Sequence, residues 1–147
     1  MPSLSISANI IFTYYRDLTR AADFYARVLG LELVMDHGYA KVFQFTPNSF
    51  IGLVDSEKGT FKASDTKPVI IATVTNDVDQ WHDHLVAHGV TILKPIKDNP
   101  VLGLRGFSAL DPEGYVLEFE RFEATEKNQK LLEILARGRT FGPLAIP

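Results

Sequence analysis

One order of features occurs twice along this chain, and that duplication limits the fold more tightly than any single motif. Residues 6–15 form an apolar run suited to a strand, and Asp17-Leu18-Thr19 follows with the chemistry of a helix N-cap. A helix is expected through about Leu29, with Ala22, Tyr25, Val28 and Leu29 on one face and Gly30 as the residue that ends it. Three strand-like stretches come next, at 31–35, 40–46 and 50–54, parted by the turn signals His37-Gly38 and Pro47-Asn48. The order then recurs. Residues 69–75 read as a strand, and Asn76-Asp77 opens a helix to about His88, with Asp77 and Gln80 at capping-box spacing. Trp81 and Leu85 mark the inner stripe of this helix, Gly89 stops it, and strands follow at 91–95, 105–109 and 115–122. Setting Ile10 over Ile70 also sets Asp17 over Asp77, and the second copy has one residue fewer before its glycine.

Two such copies define an α+β chain of two βαβββ modules forming a curved mixed-sheet cup, with an extra C-terminal helix. The modules span 5–55 and 68–123, a polar, charged linker occupies 56–67, and 124–147 supply the helix and tail. Within the last segment, 125–137 are amphipathic through Leu131, Leu132, Ile134 and Leu135, whereas 141–147 hold too much Pro and Gly to continue a helix. Residues 10–14, 50–54 and 69–74 are apolar on both alternating faces. This suits strands with a helix on one side and an interior on the other. That interior is either solid core or a cavity, and periodicity leaves both open.

Bulk properties exclude several classes. The 147 residues suit one compact domain or two small modules, and 46% hydrophobic residues suffice for a core. The net charge of −3 comes without the basic stripe that nucleic-acid binding needs, and no apolar run is long enough to span a membrane. The first residues show no basic leader and no small-residue cleavage site. With no cysteine, there is no disulfide framework, thiolate nucleophile or zinc-thiolate site, and a cytoplasmic location is the default expectation.

The tetrapeptide Asp111-Pro112-Glu113-Gly114 fits a type I turn and leads into Tyr115-Val116-Leu117-Glu118-Phe119. Near the start, Asp17-Leu18 precedes Asp23-Phe24-Tyr25 and then Leu29-Gly30-Leu31. Taken together over roughly residues 5–123, these motifs resemble the vicinal oxygen chelate superfamily, which includes glyoxalase I, extradiol dioxygenases, fosfomycin-resistance enzymes and bleomycin-binding proteins. The resemblance implies four metal-ligand positions, on the first and last strands of each module, filled by His, Glu or Gln in the metal-dependent members. Here those positions fall on Ile10, Gly52, Ile70 and Glu118, so only Glu118 keeps a ligand type. No cofactor is therefore expected, and the missing ligands weigh against a divalent metal.

The same resemblance implies a cup whose inward positions follow by period two. They are Ile10, Phe12 and Tyr14; Phe50, Gly52 and Val54; Ile70, Ala72 and Val74; and Val116, Glu118 and Glu120, with Arg105 and Phe107 contributing from the neighbouring strand. Such a lining suits a small molecule, though the same aromatics could simply fill a closed core. Glu118 is the sharpest residue: an acid/base or ligand anchor if desolvated, a strand-end carboxylate paired with Arg105 if not. Tyr14 is either an anchor for a polar ligand group or a core tyrosine.

His82, His84 and His88 crowd the second helix, and the last two have the spacing of a metal pair, but no third ligand is evident and an exposed helix face is expected. His37 belongs to a hairpin turn. Phosphate loops, nucleophile elbows and paired acidic metal motifs are absent. The expected function is metal-independent binding of a small, largely apolar or aromatic molecule. The alternative is a lyase, isomerase or dioxygenase-type enzyme using Glu118 or a relocated metal site. A third reading is a partner-binding dimer working through 125–137. A homodimer is expected from the resemblance.

Overall fold

The computed structural model describes residues 4–138, so the tail at 141–147 lies outside the described residues. The chain divides between Asp65 and Thr66 into two compact units. No helix among the described residues is long and apolar enough to cross a membrane.

The first unit holds β1 (Asn9–Tyr15), α1 (Leu18–Asp23), β2 (Glu32–Asp36), β3 (Ala40–Thr46) and β4 (Ser49–Asp55). Its sheet runs β1-β4-β3-β2, with β1 parallel to β4 and the other neighbours antiparallel. β1 starts at Asn9 rather than at residue 6 because its partner begins at Ser49, leaving 6–8 no strand to pair with. The Asp17 carboxylate caps α1 by accepting from the Arg20 N–H at 3.1 Å. The expected single helix to Leu29 is not uniform: past Asp23 it widens into a π-helical turn, Phe24–Val28, where the Leu29 N–H reaches back to the Phe24 carbonyl. Phe24, Tyr25 and Val28 are buried from this turn, and Tyr15, Phe43, Ile51 and Leu53 meet them from the sheet. Each such side chain contributes about 1.5–3 kcal/mol by leaving water.

The polar stretch after β4, expected as a linker, instead folds back on the first unit. The Asp55 carbonyl accepts from the N–H groups of Lys58 and Gly59, and its carboxylate accepts from Glu57 N–H. Ser56 is buried, and the Phe61 ring stands edge-on to Tyr14 at 5.6 Å. Composition marks this segment as polar, but the Asx-type turn at Asp55 satisfies its backbone locally and holds it in place.

The second unit holds β5 (Ile70–Val74), α2 (Val78–Ala87), β6 (Ile92–Asn99), β7 (Leu104–Leu110) and β8 (Val116–Phe122), in the order β5-β8-β7-β6. β5 runs parallel to β8, and the remaining pairs are antiparallel. β6 continues beyond Pro95 to Asn99. It is an edge strand, and the proline falls where the register with β7 slips between Lys94 and Lys97. The capping box of α2 does not form: the Asp77 side chain makes no cap bond, and its N–H goes to Thr75 Oγ1 at 3.0 Å. Val78 and Leu85 are buried from α2, and Trp81 lies against Phe119 with ring centroids 5.0 Å apart.

The Asp111–Gly114 turn closes as its sequence predicts, with the Asp111 carbonyl accepting from Gly114 N–H and a positive φ of 92° at the glycine. The buried Asp111 carboxylate also accepts from the N–H groups of Glu113 and Tyr115, at 3.0 and 2.9 Å. Asp111→Ala strips both acceptors from these N–H groups, and a loss of about 1–3 kcal/mol in urea denaturation is expected.

After β8 a 3₁₀ turn, Glu126–Asn128, leads into α3 (Gln129–Arg137). The Asn128 amide donates to the carbonyls of Leu102, Gly103 and Glu123, tying the turn to the β6–β7 connection. Leu131, Ile134 and Leu135 on α3 are exposed.

Candidate functional site

Strand parity sorts each sheet into a helix-packed face and an open face. In the first unit Thr13, Tyr15, Ile51, Leu53 and Phe43 turn toward the helix, where Tyr15 and Tyr25 join their hydroxyls at 3.2 Å. The open face is ruled into rows by the register: Ile10, Phe50 and Gln44; Phe12, Gly52 and Val42; Tyr14, Val54 and Ala40. Five of the expected site residues, Ile10, Phe12, Tyr14, Phe50 and Gly52, therefore share one surface. Ile10 and Phe12 remain exposed, the latter at 46%, far more than a core aromatic.

Gly52 is required by Phe12. A Cβ at Gly52 would overlap the Phe12 ring, so the glycine lets the ring lie flat on the strand behind it. Gly59 is placed similarly, since a Cβ there would stand 2.9 Å from Tyr14 Cε1 and hard against Val54.

These contacts frame a pocket of about 380 Å³ lined by Phe12, Tyr14, Met35, His37, Tyr39, Ala40, Val54, Lys58, Gly59 and Thr60. The β2–β3 hairpin forms one wall, with His37 N–H donating to the Ala40 carbonyl at 2.9 Å, and the folded-back segment after Asp55 forms another. Of these ten residues three, Phe12, Tyr14 and Val54, are inward positions expected from the sequence, and the other seven come from the β2–β3 hairpin and the segment after Asp55. Met35 was hidden by a slip in the β2–β3 register, and Lys58 to Thr60 lay in the supposed linker. A second, open groove of about 310 Å³ runs between α1 and the other face of the sheet, past Ala22, Ala26, Leu33 and Phe43.

In the second unit the open face carries the rows Ile70, Val116 and Leu110; Ala72, Glu118 and Ser108; and Val74, Glu120 and Gly106. Ile70 is 56% exposed there. Arg105 and Phe107 do not belong to this face, contrary to expectation. They pair across β8 with Arg121 and Phe119, which puts them on the opposite parity from Glu118. Phe107 stacks on Phe119 at 5.3 Å and meets His82 of α2 edge-on. Arg105 donates to the carboxylates of Asp79 on α2, at 2.7 Å, and Asp98, at 3.3 Å. The hydrogen bond from Arg105 holds the Asp79 carboxyl below the usual carboxylate range. Glu118 therefore lacks the arginine partner considered for it.

Its neighbour instead is Glu120, two residues on and on the same face. Burial, then the charge and hydrogen bond of Glu118, push the Glu120 carboxyl up to about 7. Beside them, the buried Ser108 Oγ has no hydrogen-bond partner among the described residues.

The donor set does not fit a divalent ion. At the four positions where the resemblance places metal ligands, Ile10, Gly52 and Ile70 offer no side-chain lone pair, leaving Glu118 alone. Among the described residues no three His, Asp or Glu side chains are gathered to hold a metal. At the end of α2, the His84 and His88 rings lie tilted against each other with centroids 4.2 Å apart, and His88 Nδ1 lies 2.8 Å from the His84 carbonyl.

Two four-stranded mixed sheets, each with one parallel edge pair, two antiparallel pairs and a helix on one face, define a duplicated βαβββ protein. The family model for the Glyoxalase/Bleomycin resistance protein/Dioxygenase superfamily matches residues 8–119, and the chain belongs to that superfamily. Solved structures are similar in fold. TioX from Micromonospora sp. ML1 is 24% identical, with a TM-score of 0.66 over 78% of this chain and 98% of its own. A glyoxalase/bleomycin resistance protein/dioxygenase from Nocardioides is 21% identical, with a TM-score of 0.67 over 84% and 87%. Lactoylglutathione lyase from Agrobacterium tumefaciens is 22% identical, with a TM-score of 0.63 over 82% and 96%. No curated protein matches the chain.

Proposed function

We propose that this protein binds a small, largely apolar or aromatic molecule without a metal ion, on the open face of its first sheet. The pocket bounded by Phe12, Tyr14, Met35 and Tyr39 carries this reading, because it joins exposed aromatic rings to a few polar groups at the rim. Phe12 is held in place by Gly52 yet left half in water, as suits a ring that completes its burial only against a ligand. Lys58, His37 and Thr60 offer polar contacts that would fix orientation.

The test uses 1-naphthol as probe, titrated calorimetrically with and without EDTA. Equal affinity under both conditions is expected, with Phe12→Ala weakening binding by about tenfold, the worth of part of an aromatic ring's burial. Binding abolished by EDTA would overturn the metal-free reading. Binding indifferent to Phe12→Ala and Tyr39→Ala would remove the pocket.

A further inference from the structure

The pocket on the first sheet is one-sided in charge. Its lining includes Lys58 and His37 but no aspartate or glutamate. The carboxylates next to these two residues in the chain are each engaged elsewhere. Asp36 accepts from Lys41 Nζ at 2.8 Å and from Gly38 N–H at 2.8 Å. Asp55 accepts from Glu57 N–H at 2.9 Å, and the Glu57 carboxylate meets Lys62 at 3.8 Å. Neither Lys58 nor His37 forms an ion pair among the described residues. Lys58 thus brings a positive charge to an aromatic cavity without a carboxylate bound to it.

The backbone fixes where both side chains begin. Asp55 N–H donates to the Tyr39 carbonyl at 2.8 Å, which ties the β2–β3 hairpin to the end of β4. The Asp55 carbonyl in turn accepts from Lys58 N–H at 3.1 Å and Gly59 N–H at 2.9 Å. One residue therefore anchors the two walls that carry the donors. Gly59 sits tight against Tyr14 and Val54, which places Lys58 next to the aromatic floor. Donors that start from a fixed main chain lose less freedom when they close on a ligand.

We propose that this pocket selects aromatic carboxylates, with Lys58 as the counter-charge and His37 as a second donor, a selectivity that rests on the pocket binding an apolar or aromatic molecule at all. Phe12 and Tyr39 would take the ring, and the carboxylate would lie at the rim between the hairpin and the segment after Asp55. A charge-assisted bond to an ammonium is stronger than a neutral one, and apolar walls weaken its screening by water. A neutral ligand would cover Lys58 without giving it a partner, and a cationic one would meet it with no carboxylate in the lining to offset the repulsion.

The experiment titrates the full chain calorimetrically, at neutral pH and low salt, with 1-naphthoate, 1-naphthalenemethanol and 1-naphthylmethylamine, which share a ring and differ in charge. The carboxylate should bind about tenfold more tightly than the alcohol, and the amine more weakly than either. Lys58→Met keeps an apolar stem and should cut the carboxylate's advantage to about threefold or less, with the alcohol unchanged. His37→Ala should weaken the carboxylate by about threefold. Lys127→Met removes an exposed charge of the second unit and should leave all three affinities as they are. An alcohol that binds as tightly as the carboxylate, or an amine that binds more tightly, would overturn the selectivity and leave the aromatic pocket standing. So would an advantage that survives both Lys58→Met and His37→Ala, or one that Lys127→Met reduces equally. Failure of all three probes and of 1-naphthol would remove the pocket itself, and the selectivity with it.

Discussion

Raising the pH from about 5 to about 8 should weaken the fold, and Glu120→Gln should remove most of that loss. The carboxyl is raised in the folded chain from 4.5 to about 7, so between those values the folded state holds a proton that the unfolded state has released. Stability therefore falls with rising pH across that window and levels off above it, the reverse of a salt-bridged carboxylate. The full shift corresponds to about 3 kcal/mol, and partial hydration of the pair reduces the expected loss to about 2 kcal/mol. Urea denaturation at pH 5, 6, 7 and 8 measures it. Wild type should lose midpoint steadily, while Glu120→Gln should be the more stable protein at pH 8. A wild-type midpoint that rises over this range would mean that another group dominates the linkage.

The largest single loss is expected at Phe119. Its ring, 3% exposed, lies between Trp81 of α2 at 5.0 Å and Phe107 of β7 at 5.3 Å, so it is the middle layer of an aromatic stack joining helix to sheet. Phe119→Ala should cost about 3–5 kcal/mol, from lost transfer energy and the cavity left between two rigid rings. Against a total stability of about 5–15 kcal/mol, that is enough to loosen α2 in the second unit. Phe12→Ala removes the same side chain from an open face, and its thermal midpoint should barely move. Denaturation of the two variants side by side separates the packed parity from the open one. Equal losses would show that Phe12 belongs to a core.

The duplicated modules were legible because their punctuation is local: a capping aspartate, a glycine after each helix, and a proline turn before the last strand. The parity of β1, β4, β5 and β8 was legible too, since period two from one reference residue fixes a whole strand. Arg105 and Phe107 were misplaced because parity does not pass from one strand to the next without the register between them, and the register depends on the length of the Asp111–Gly114 turn. Counting back through that turn from Glu118 sets Ser108, not Phe107, opposite it. Lys58 to Thr60 escaped notice for another reason. Their polarity is that of a linker, and only the hydrogen bonds at Asp55 reveal that the segment packs.

The π-helical turn at Phe24–Val28 bears on how the repeated module absorbs a difference in length. The first module holds one more residue than the second between the aspartate before its helix and the glycine after it. A single codon inserted into a helix would ordinarily rotate everything after it by about 100° and turn a buried face outward. A π turn takes up the added residue within one wider loop of backbone, so that Tyr25 and Val28 still meet the sheet beyond it. The widened turn thus lets the two modules keep the same strand order although their helical segments differ in length by one residue.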